Sequence, residues 1–581
     1  MAERPDAAAR ISSLIGSLEA PDAFPDAALE AAARADPGTD DPSLVDLSDV
    51  AFATVDNDGS RDLDQALHVE ALGAPGAPTG WRVLYALADT TRHVTPGTAL
   101  WDEALGRGAT LYAPDRAVPM LPRALSEGVV SLAPGAARRA LVFDMRVETD
   151  GTISRTDLLR ARIRSRLQLT YAGVERAVDG TGSLEAARAE NPESLGAHVD
   201  ADEAEAVLGS LRALAAVGVA LAARGRANGV MAFDRAESEV RVAGDPPAFD
   251  VTPRARLASE AWNEQLSLAC NREGAALLVA LEADDPTLEP VYRTHGAPSP
   301  GRLAELEGTL AALADALELE GPWRRDPKRG PSLADWFEAL PARPVRRRRA
   351  IQRQVLRAQR ASRYEGEPGR HHALAADGYA RFSSPMREIV GVHTHRVLLR
   401  ALGLVEDSAE ESSPERRTAL RDAVIASAEA ARARQKALDR AVLLEVVTAM
   451  FGRDLAGGDP PWRDGTVLGI EPNRMHVGLD GLALDVKLWR EGLEASTGVP
   501  WRFDAVSARP GRRARPGAGG TDATATVPTP LAGDAPADSG PPVPEPVPIF
   551  LGDGVQVRAR RFDPATRRWA LDVRLLDVEP G

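Results

Sequence analysis

This sequence of 581 residues has one cysteine, a negative net charge and no long apolar run. Each of these features excludes a class of protein. The single cysteine, Cys270, excludes an internal disulfide framework and a cysteine-rich zinc site. The formal net charge of −15 excludes a basic protein that coats a polyanion, because no overall positive field would attract one. An enzyme with a basic channel inside an acidic shell remains compatible with this charge.

Membrane and export signals are also missing from the sequence pattern. No apolar run approaches the roughly 18 residues that would span a bilayer. The opening segment MAERPDAAARISSLIG lacks the basic-then-apolar order of a signal peptide. No repeat with a period of about 20 to 50 residues is visible, which excludes a solenoid or a propeller. These features predict a protein of the reducing cytoplasm that has no membrane partner.

Most of the sequence consists of a strand-rich segment followed by a long helical segment. Residues 1–48 are rich in Ala, Asp and Pro and predict an N-terminal arm that is helical or partly disordered. Strand patterns and then helical spacing predict one α+β domain over residues 49–450. A second β pattern at 461–578 predicts one small barrel. The Pro/Gly/Ala/Thr tract at about 507–547 interrupts this barrel and predicts a disordered insert.

The densest group of chemically useful side chains lies in the segment TVDNDGSRDLDQAL. Four aspartates fall within nine residues at the junction of two predicted strands: Asp56, Asp58, Asp62 and Asp64. Carboxylates this close repel one another unless a cation joins them. Oxygen ligands without cysteine favour Mg²⁺ or Mn²⁺, which can activate water and neutralise charge during phosphodiester cleavage. A solvated Asp-rich turn has the same composition, so both interpretations stay open on these residues alone.

Four segments in a fixed order carry a resemblance to a known family. They are TVDNDGSRDLDQAL, TLYAPDRAVPMLP, VYRTHGAPSPGRLAELE and HHALAADGYARFSSPMRE. Over roughly residues 50–400 the sequence resembles the ribonuclease II/R family of 3′-to-5′ exoribonucleases. The resemblance implies an α+β fold in which an RNB-type catalytic domain is followed by a small C-terminal OB-fold β-barrel.

The resemblance also implies roles for individual side chains. Asp56, Asp62 and Asp64 match three of the family's four signature aspartates, and Asp64 matches the position on which the family depends most. Arg387, in FSSPMRE, matches the arginine that stabilises charge on the scissile phosphate. Tyr112 matches the aromatic residue that stacks on a base near the RNA 3′ end. Ordinary packing or surface ion pairing is the alternative for Tyr112 and Arg387.

Further RNA contacts are implied outside the aspartate cluster. Glu264 lies where the family carries acidic residues in a helix that reaches the terminal nucleotides. In the predicted C-terminal barrel, Arg558, Arg560 and Trp569 are candidates for binding single-stranded RNA. The arginine-rich stretch at 343–363 is a candidate wall of the RNA channel. For each of these groups a solvated surface is the competing interpretation.

Three departures separate this sequence from the family pattern. The fourth signature aspartate is Gln65, which offers a cation an amide oxygen without charge. The family's arginine-tyrosine-proline-aspartate run reads Glu388, Ile389, Val390 and Gly391 here. The family's two N-terminal cold-shock barrels have no counterpart in residues 1–48.

Taken together, the resemblance implies a metal-dependent enzyme that hydrolyses single-stranded RNA from its 3′ end to nucleoside 5′-monophosphates. Its cofactor is expected to be Mg²⁺, with Mn²⁺ as the alternative, held by Asp56, Asp62, Asp64 and Gln65. The chain is expected to act as a monomer. Two alternatives stay open: an RNA-binding protein with a decayed catalytic centre, and a nuclease that prefers DNA or short oligonucleotides.

Overall fold

The computed structural model describes most of the chain: residues 6–74, 76–190, 199–233, 237–482, 484–510 and 547–576. The chain divides into two compact units. Unit 1 comprises Met1–Ser299 and Gln359–Val446, and unit 2 comprises Pro300–Ala358 and Val447–Gly581. Most of the predicted disordered insert lies outside the described residues, although its first residues, 507–510, form a strand.

The elements are numbered here along the chain. The helices are α1 (Ala7–Ser17), α2 (Asp26–Ala33), α3 (Ala99–Arg107), α4 (Tyr171–Asp179), α5 (Leu184–Ala189), α6 (Ala201–Ala227), α7 (Ala258–Asp284), α8 (Pro300–Ala316), α9 (Leu333–Glu338), α10 (Val345–Ala358), α11 (Ile389–Ala401), α12 (Pro414–Ala456) and α13 (Arg490–Thr497). The strands are β1 (Val45–Asp56), β2 (Gln65–Ala74), β3 (Ala77–Ala88), β4 (Leu111–Tyr112), β5 (Ala117–Val118), β6 (Ala137–Glu148), β7 (Ile153–Thr170), β8 (Glu237–Ala243), β9 (Ala248–Arg254), β10 (Tyr292–Thr294), β11 (Arg363–Glu365), β12 (Arg463–Glu471), β13 (Arg474–Leu479), β14 (Asp485–Trp489), β15 (Trp501–Phe503), β16 (Ser507–Pro510), β17 (Ile549–Phe550), β18 (Gly554–Asp563) and β19 (Arg568–Leu575).

Unit 1 is organised around a closed barrel of β1, β2, β3, β6 and β7. The parallel pairing of β1 with β7 closes it, and the other neighbours are antiparallel. Alternate side chains of β3 divide between two cores, because successive residues of a strand point to opposite faces. Tyr85 packs in the core shared with α6 and α7, whereas Leu84 and Ala86 pack in the other core. The α+β prediction is confirmed, although the sequence did not reveal this barrel.

The described part of the N-terminal arm contains two helices, α1 and α2, joined by turns and irregular chain. Helix α1 buries Ile11 and Ile15, and Asp6 caps it by accepting a hydrogen bond from the Ala9 amide at 2.7 Å. Helix α2 buries Ala28 and Ala32 in one of the two cores of unit 1. Both helices therefore belong to the folded body of this unit.

Helix α6 is long and apolar enough, by length and composition, to cross a membrane, contrary to the sequence expectation that no segment approaches this limit. One face of it, however, is packed inside unit 1. Leu211, Leu214 and Val217 are fully buried against the barrel core. Gly218 gives α7 its close approach, because a Cβ there would meet Trp262 at 2.8 Å. These contacts are those of a core helix of a globular protein.

Unit 2 contains a five-stranded antiparallel sheet with the strand order β14-β13-β12-β18-β19. Helix α13 follows β14, which is the third of these strands along the chain, and this is the arrangement of an OB fold. The guanidinium of Arg568 on β19 lies 3.6 Å from the ring centre of Trp489 on β14, so a cation–π contact joins the two outer strands. The small C-terminal β domain of the prediction is therefore present. It also includes residues 300–358, which the sequence assigned to the preceding domain.

Two buried histidines of α11 make the stability of unit 1 sensitive to acid. The Nε2 atoms of His393 and His395 lie 3.1 and 2.9 Å from the carbonyl oxygens of Glu289 and Phe382. Burial lowers the pKa of both rings to about 4, from 6.5. The unfolded chain therefore binds more protons than the folded chain between pH 6.5 and pH 4, and stability falls as the pH drops through this window.

We expect the free energy of unfolding to fall by about 2 kcal/mol per histidine between pH 7 and pH 5. Urea unfolding followed at both pH values measures this loss. The double variant His393→Gln/His395→Gln should show a flatter dependence on pH than the wild-type protein. Equal pH dependence in the two proteins would contradict the assignment.

Candidate active site

The predicted aspartate cluster lies at one end of the barrel of unit 1. Asp56 is the last residue of β1, and the turn that follows leads back to β2, which begins at Gln65. Asp56 and Asp64 are buried, at 7% and 2% exposure, and Asp62 is partly buried. Asp58 is exposed on the same turn. Three of the four clustered aspartates therefore turn inward, and the fourth points to solvent.

Arg387 joins the three inward-facing carboxylates. Its Nε atom lies 2.5 Å from Oδ2 of Asp64 and 3.5 Å from Oδ2 of Asp62. Its Nη2 atom lies 2.9 Å from Oδ2 of Asp56 and also donates to the Asp62 carbonyl at 3.2 Å. Asp64 and Asp56 raise the pKa of Arg387 well above its usual value, although burial opposes its charge. The structure thus brings together residues separated by more than 300 positions.

Asp64 is the most enclosed member of this group. Its Oδ1 accepts a hydrogen bond from the Met386 amide at 2.9 Å, which fixes the carboxylate against the chain that carries Arg387. Its Oδ2 is buried and accepts no hydrogen bond from the described residues. Burial raises the pKa of Asp64 to about 7, and Arg387 limits that rise. Burial also raises the pKa of Asp62.

Gln65 engages a different partner from its neighbour Asp64. Its side chain lies on the face of β2 that carries Leu67, and its Oε1 accepts a hydrogen bond from the hydroxyl of Tyr85. Tyr85 is fully buried on β3, diagonally across from Gln65 in the antiparallel register. The role of Gln65 as a metal ligand remains a prediction, because its amide oxygen is used here to satisfy a buried tyrosine.

This hydrogen bond gives Gln65 a testable structural role. Replacing Gln65 with alanine should lower the free energy of unfolding by about 0.5–1.5 kcal/mol, because the buried Tyr85 hydroxyl loses its hydrogen bond to Gln65 and keeps the one to Ser267. Chemical denaturation measures the loss. In a Tyr85→Phe background, Gln65→Ala should cost much less, since the hydroxyl that Gln65 contacts is then absent. If Gln65→Ala costs the same with Tyr85 and with Phe at position 85, the two residues are not coupled.

Tyr112 is held beside Arg387 with its ring half exposed. The Thr110 amide donates to the Arg387 carbonyl at 2.9 Å, which ties the two segments together. Gln435 brackets the Tyr112 backbone, accepting from its amide at 2.8 Å and donating to its carbonyl at 3.0 Å. The side chain of Tyr112 also interacts with Arg387 and is 48% exposed. About half of the surface of Tyr112 is therefore open to solvent beside Arg387.

A tyrosine and an asparagine that the sequence analysis missed lie next to Asp56. Asn263 of α7 donates to the hydroxyl of Tyr171 at 3.1 Å, and its own Oδ1 is buried without a hydrogen bond from the described residues. Burial raises the pKa of Tyr171 to about 12, and the charge of Asp56 adds to the rise. The predicted residue Glu264 instead forms an exposed ion pair with Arg256 at 2.5 Å. No motif singled out Tyr171 or Asn263 in the sequence.

The residues after Arg387 that differ from the family pattern contact partners other than Arg387. Glu388 accepts from Arg381 at 2.9 Å and from the hydroxyl of Tyr364 at 3.1 Å, so it does not pair with Arg387. Gly391 packs against the backbone of the preceding turn, where a Cβ would lie 3.0 Å from the Ser384 carbonyl oxygen. An aspartate at this position would therefore require local movement.

The donor set of the cluster fits a hard divalent cation. Three carboxylate oxygens converge on one positively charged group, and the Oδ2 atom of Asp64 lacks a hydrogen bond among the described residues. Oxygen-only ligands of this charge suit Mg²⁺ or Mn²⁺. Within the described ranges no three acidic, histidine or cysteine side chains are already arranged around a metal position. A cation would share with Arg387 the oxygens that Arg387 now contacts.

The predicted RNA contacts in unit 2 need one correction. Trp569 is 8% exposed and packs against the rings of Phe451 and Phe562 at 5.3 and 5.1 Å, so its predicted stacking on RNA is wrong. Its place on β19 faces the interior, which the strand pattern alone could not specify. Arg560 is exposed, and its contact with RNA remains a prediction.

A different aromatic side chain of unit 2 is contacted by two arginines. Trp462 precedes β12 and is partly exposed. The guanidinium groups of Arg558 and Arg574 lie 4.5 and 4.3 Å from its ring centre. Arg558, a predicted contact, therefore belongs to a cationic and aromatic surface that is centred on Trp462 rather than on Trp569.

Comparison with known proteins agrees with this geometry. The RNB domain family matches residues 44–403. Ribonuclease R of Vibrio parahaemolyticus is 29% identical over 354 residues, which cover 61% of this chain and 39% of that protein. Exoribonuclease 2 of Aeromonas hydrophila is 28% identical over 360 residues, covering 61% and 47%. The chain thus spans less than half the length of these curated relatives.

Solved structures share the fold at low sequence identity. Mycoplasma genitalium RNase R in complex with ribose-methylated single-stranded RNA superposes with a TM-score of 0.76 at 18% identity, covering 99% of this chain and 79% of that one. Yeast Ssd1, a pseudonuclease, gives a TM-score of 0.59 at 13% identity, covering 87% and 58%. The match to the RNB domain extends over more than half of the sequence, and the chain belongs to the RNB domain family.

Proposed function

We propose that this protein is a 3′-to-5′ exoribonuclease that hydrolyses single-stranded RNA to nucleoside 5′-monophosphates. The observation that carries the proposal is the convergence of Asp56, Asp62 and Asp64 on Arg387 within an RNB domain. Ribonuclease R and exoribonuclease 2 are the names of its curated relatives. Removal of nucleotides from a 3′ end requires groups that hold a phosphate, neutralise its charge and orient water.

Different residues of this chain are suited to each of these roles. Arg387 carries the positive charge that a phosphate undergoing hydrolysis requires, and the three carboxylates keep it in place. Asp64, held by the Met386 amide, is suited to orient the attacking water. Tyr112, half exposed beside Arg387, is suited to stack on a terminal base.

A divalent cation is part of the proposal. Asp56, Asp62 and Asp64 would hold Mg²⁺ or Mn²⁺, and the cation would supply charge neutralisation and an acidified water when bound. Gln65 would join this set only after giving up its hydrogen bond to Tyr85. Three carboxylates without a fourth predict weaker cation binding than a four-aspartate site would give.

The proposed stacking role of Tyr112 has a measurable consequence. Tyr112→Ala should raise KM for a short single-stranded RNA about tenfold, because loss of one base stack costs roughly 1–3 kcal/mol. Tyr112→Phe keeps the aromatic face and should stay close to the wild-type protein. Steady-state kinetics on the three proteins would test this. An equal rise in KM for both variants would assign the effect to the hydroxyl and not to stacking.

Two labels on one RNA test the direction of degradation. A 3′-labelled single-stranded RNA should release its label as a mononucleotide at the earliest times. The same RNA labelled at the 5′ end should shorten through a ladder of intermediates. Release of a 5′-labelled mononucleotide first, or internal fragments from both labels, would overturn the proposed polarity.

The second candidate is an RNA-binding protein whose catalytic centre has decayed. Gln65 at a signature position favours this candidate. The chain is also similar in fold to yeast Ssd1, which is described as a pseudonuclease. Retention of Asp56, Asp62, Asp64 and Arg387 in one contact network favours activity. An inactive centre has no need to keep three carboxylates around a buried guanidinium.

The proposed setting follows from the sequence. We place the protein in the cytoplasm as a monomer that binds single-stranded RNA. In unit 2 the surface formed by Trp462, Arg558 and Arg574, together with exposed Arg560, combines positive charge with an aromatic face. This combination suits single-stranded RNA of any sequence.

A further inference from the structure

The arginine side chains in the two halves of helix α10 differ in how firmly they are paired and in how exposed they are. In the first half, Arg346 and Arg349 both pair with Asp480 at 2.8 Å, and their side chains are largely buried. Arg347 and Arg348 lie over the rings of Trp323 and Phe337 at 5.5 and 5.2 Å. These four arginines hold α10 in unit 2. They are therefore not a free basic surface, which the sequence had suggested for the whole stretch.

In the second half, two arginines remain available. Arg353 and Arg357 are one helical turn apart on the same face of α10, and their side chains are 44% and 46% exposed. Arg353 pairs with Asp485 at 3.0 Å, whereas Arg357 is 3.7 Å from Glu471. These contacts are longer or more exposed than those that anchor the first half of the helix.

Glu471 cannot neutralise all the cations around it. It is also 2.6 Å from Arg474, so two arginines share one carboxylate, and it lies 3.1 Å from His476, whose pKa burial lowers. Both carboxylates nearby, Glu471 and Asp485, face three arginines. The local balance is therefore positive, and an anion would find incompletely paired guanidinium groups here.

A cavity of about 310 Å³ opens between these arginines and the sheet. Leu356 of α10 and Leu468 of β12 supply its apolar lining, and Gly469 leaves room at a β-bulge in the β12–β13 pairing. The side-chain amide of Gln354 donates to the Leu468 carbonyl at 2.8 Å, which fixes the strand against the helix. The space is within the range of small-ligand sites.

From these observations we propose that the cavity is a second binding site for a nucleotide, separate from the carboxylate cluster of unit 1. The phosphate lies between Arg353 and Arg357, and the base packs on Leu356 and Leu468. The phosphate belongs either to a free nucleoside 5′-monophosphate or to a segment of single-stranded RNA. The proposal concerns binding alone and does not depend on hydrolysis in unit 1.

The test titrates the full-length protein in EDTA with 5′-AMP, adenosine and inorganic phosphate by calorimetry. Arg353→Gln/Arg357→Gln should weaken 5′-AMP binding at least about tenfold, because both charge-assisted contacts are lost. Arg490→Gln/Arg502→Gln removes two exposed arginines of the same unit and should change the Kd by less than about twofold. Adenosine should bind more weakly than 5′-AMP, since it lacks the phosphate.

A third variant separates a binding site from a merely structural cluster. Glu471→Gln removes the carboxylate that partly neutralises Arg357 and should tighten 5′-AMP binding. Weaker binding in this variant, or equal 5′-AMP affinity in the two double variants, would overturn the proposal. Competition by a short single-stranded RNA that responds to the same variants would assign the site to RNA phosphates. Competition that is absent or insensitive to the variants would assign it to the free nucleotide.

Discussion

Replacing Asp64 with asparagine is expected to lower the rate of RNA hydrolysis by about 10³-fold or more while leaving RNA affinity nearly unchanged. Asparagine keeps the volume of the side chain and can still accept the hydrogen bond from the Met386 amide. It removes the charge that faces Nε of Arg387 at 2.5 Å and that would contribute to holding a cation. The change therefore acts on chemistry more than on folding.

Asp58 offers a matched control for this variant. It belongs to the same turn but is exposed, and Asp58→Asn makes the same chemical change without touching Arg387. Single-turnover assays on both variants, with RNA binding measured separately, give the comparison. Similar activity in Asp64→Asn and Asp58→Asn would remove Asp64 from the catalytic centre.

Replacing Arg387 with glutamine is expected to abolish hydrolysis and to destabilise the metal-free protein by about 3 kcal/mol at mildly alkaline pH, where Asp64 is ionised in the wild-type protein. The variant leaves Asp56 and Asp64 buried near one another without their shared cation. The loss of stability should shrink as the pH falls, because a protonated Asp64 no longer needs a counter-charge. Its pKa of about 7 is already raised by burial and should rise further without Arg387.

Denaturation in EDTA measures this effect. Asp64→Asn introduced into the Arg387→Gln background should restore part of the lost stability, because it removes the unpaired charge. Arg370→Gln, which breaks an exposed ion pair with Asp377, should cost less than about 1 kcal/mol. Strict additivity of Asp64→Asn and Arg387→Gln would contradict the contact between them.

The motifs located the centre of unit 1 but not its detailed contacts. Asp56, Asp62, Asp64 and Arg387 were identified because their order and spacing match a family signature, and the structure brings them together. That Gln65 hydrogen-bonds Tyr85 depends on the register of β2 against β3, which no local pattern specifies.

In unit 2 the strand pattern predicted a small β domain but not which side chains face outward. The segment RRWALDV alternates, and either register is consistent with its composition. The structure buries Trp569 and leaves Trp462 partly exposed beneath two arginines. The arginines of α10 likewise looked uniform in sequence, and only the positions of Asp480, Asp485 and Glu471 distinguish anchoring side chains from available ones.

One time course tests whether the protein degrades RNA from the 3′ end in a metal-dependent reaction. A 5′-labelled single-stranded RNA of about 30 nucleotides is incubated with the protein in Mg²⁺, in Mn²⁺ and in EDTA, beside the Asp64→Asn variant. We expect a shortening ladder with either cation, and intact RNA in EDTA or with the variant. RNA that is bound but remains intact under all these conditions would contradict the claim and favour the RNA-binding alternative.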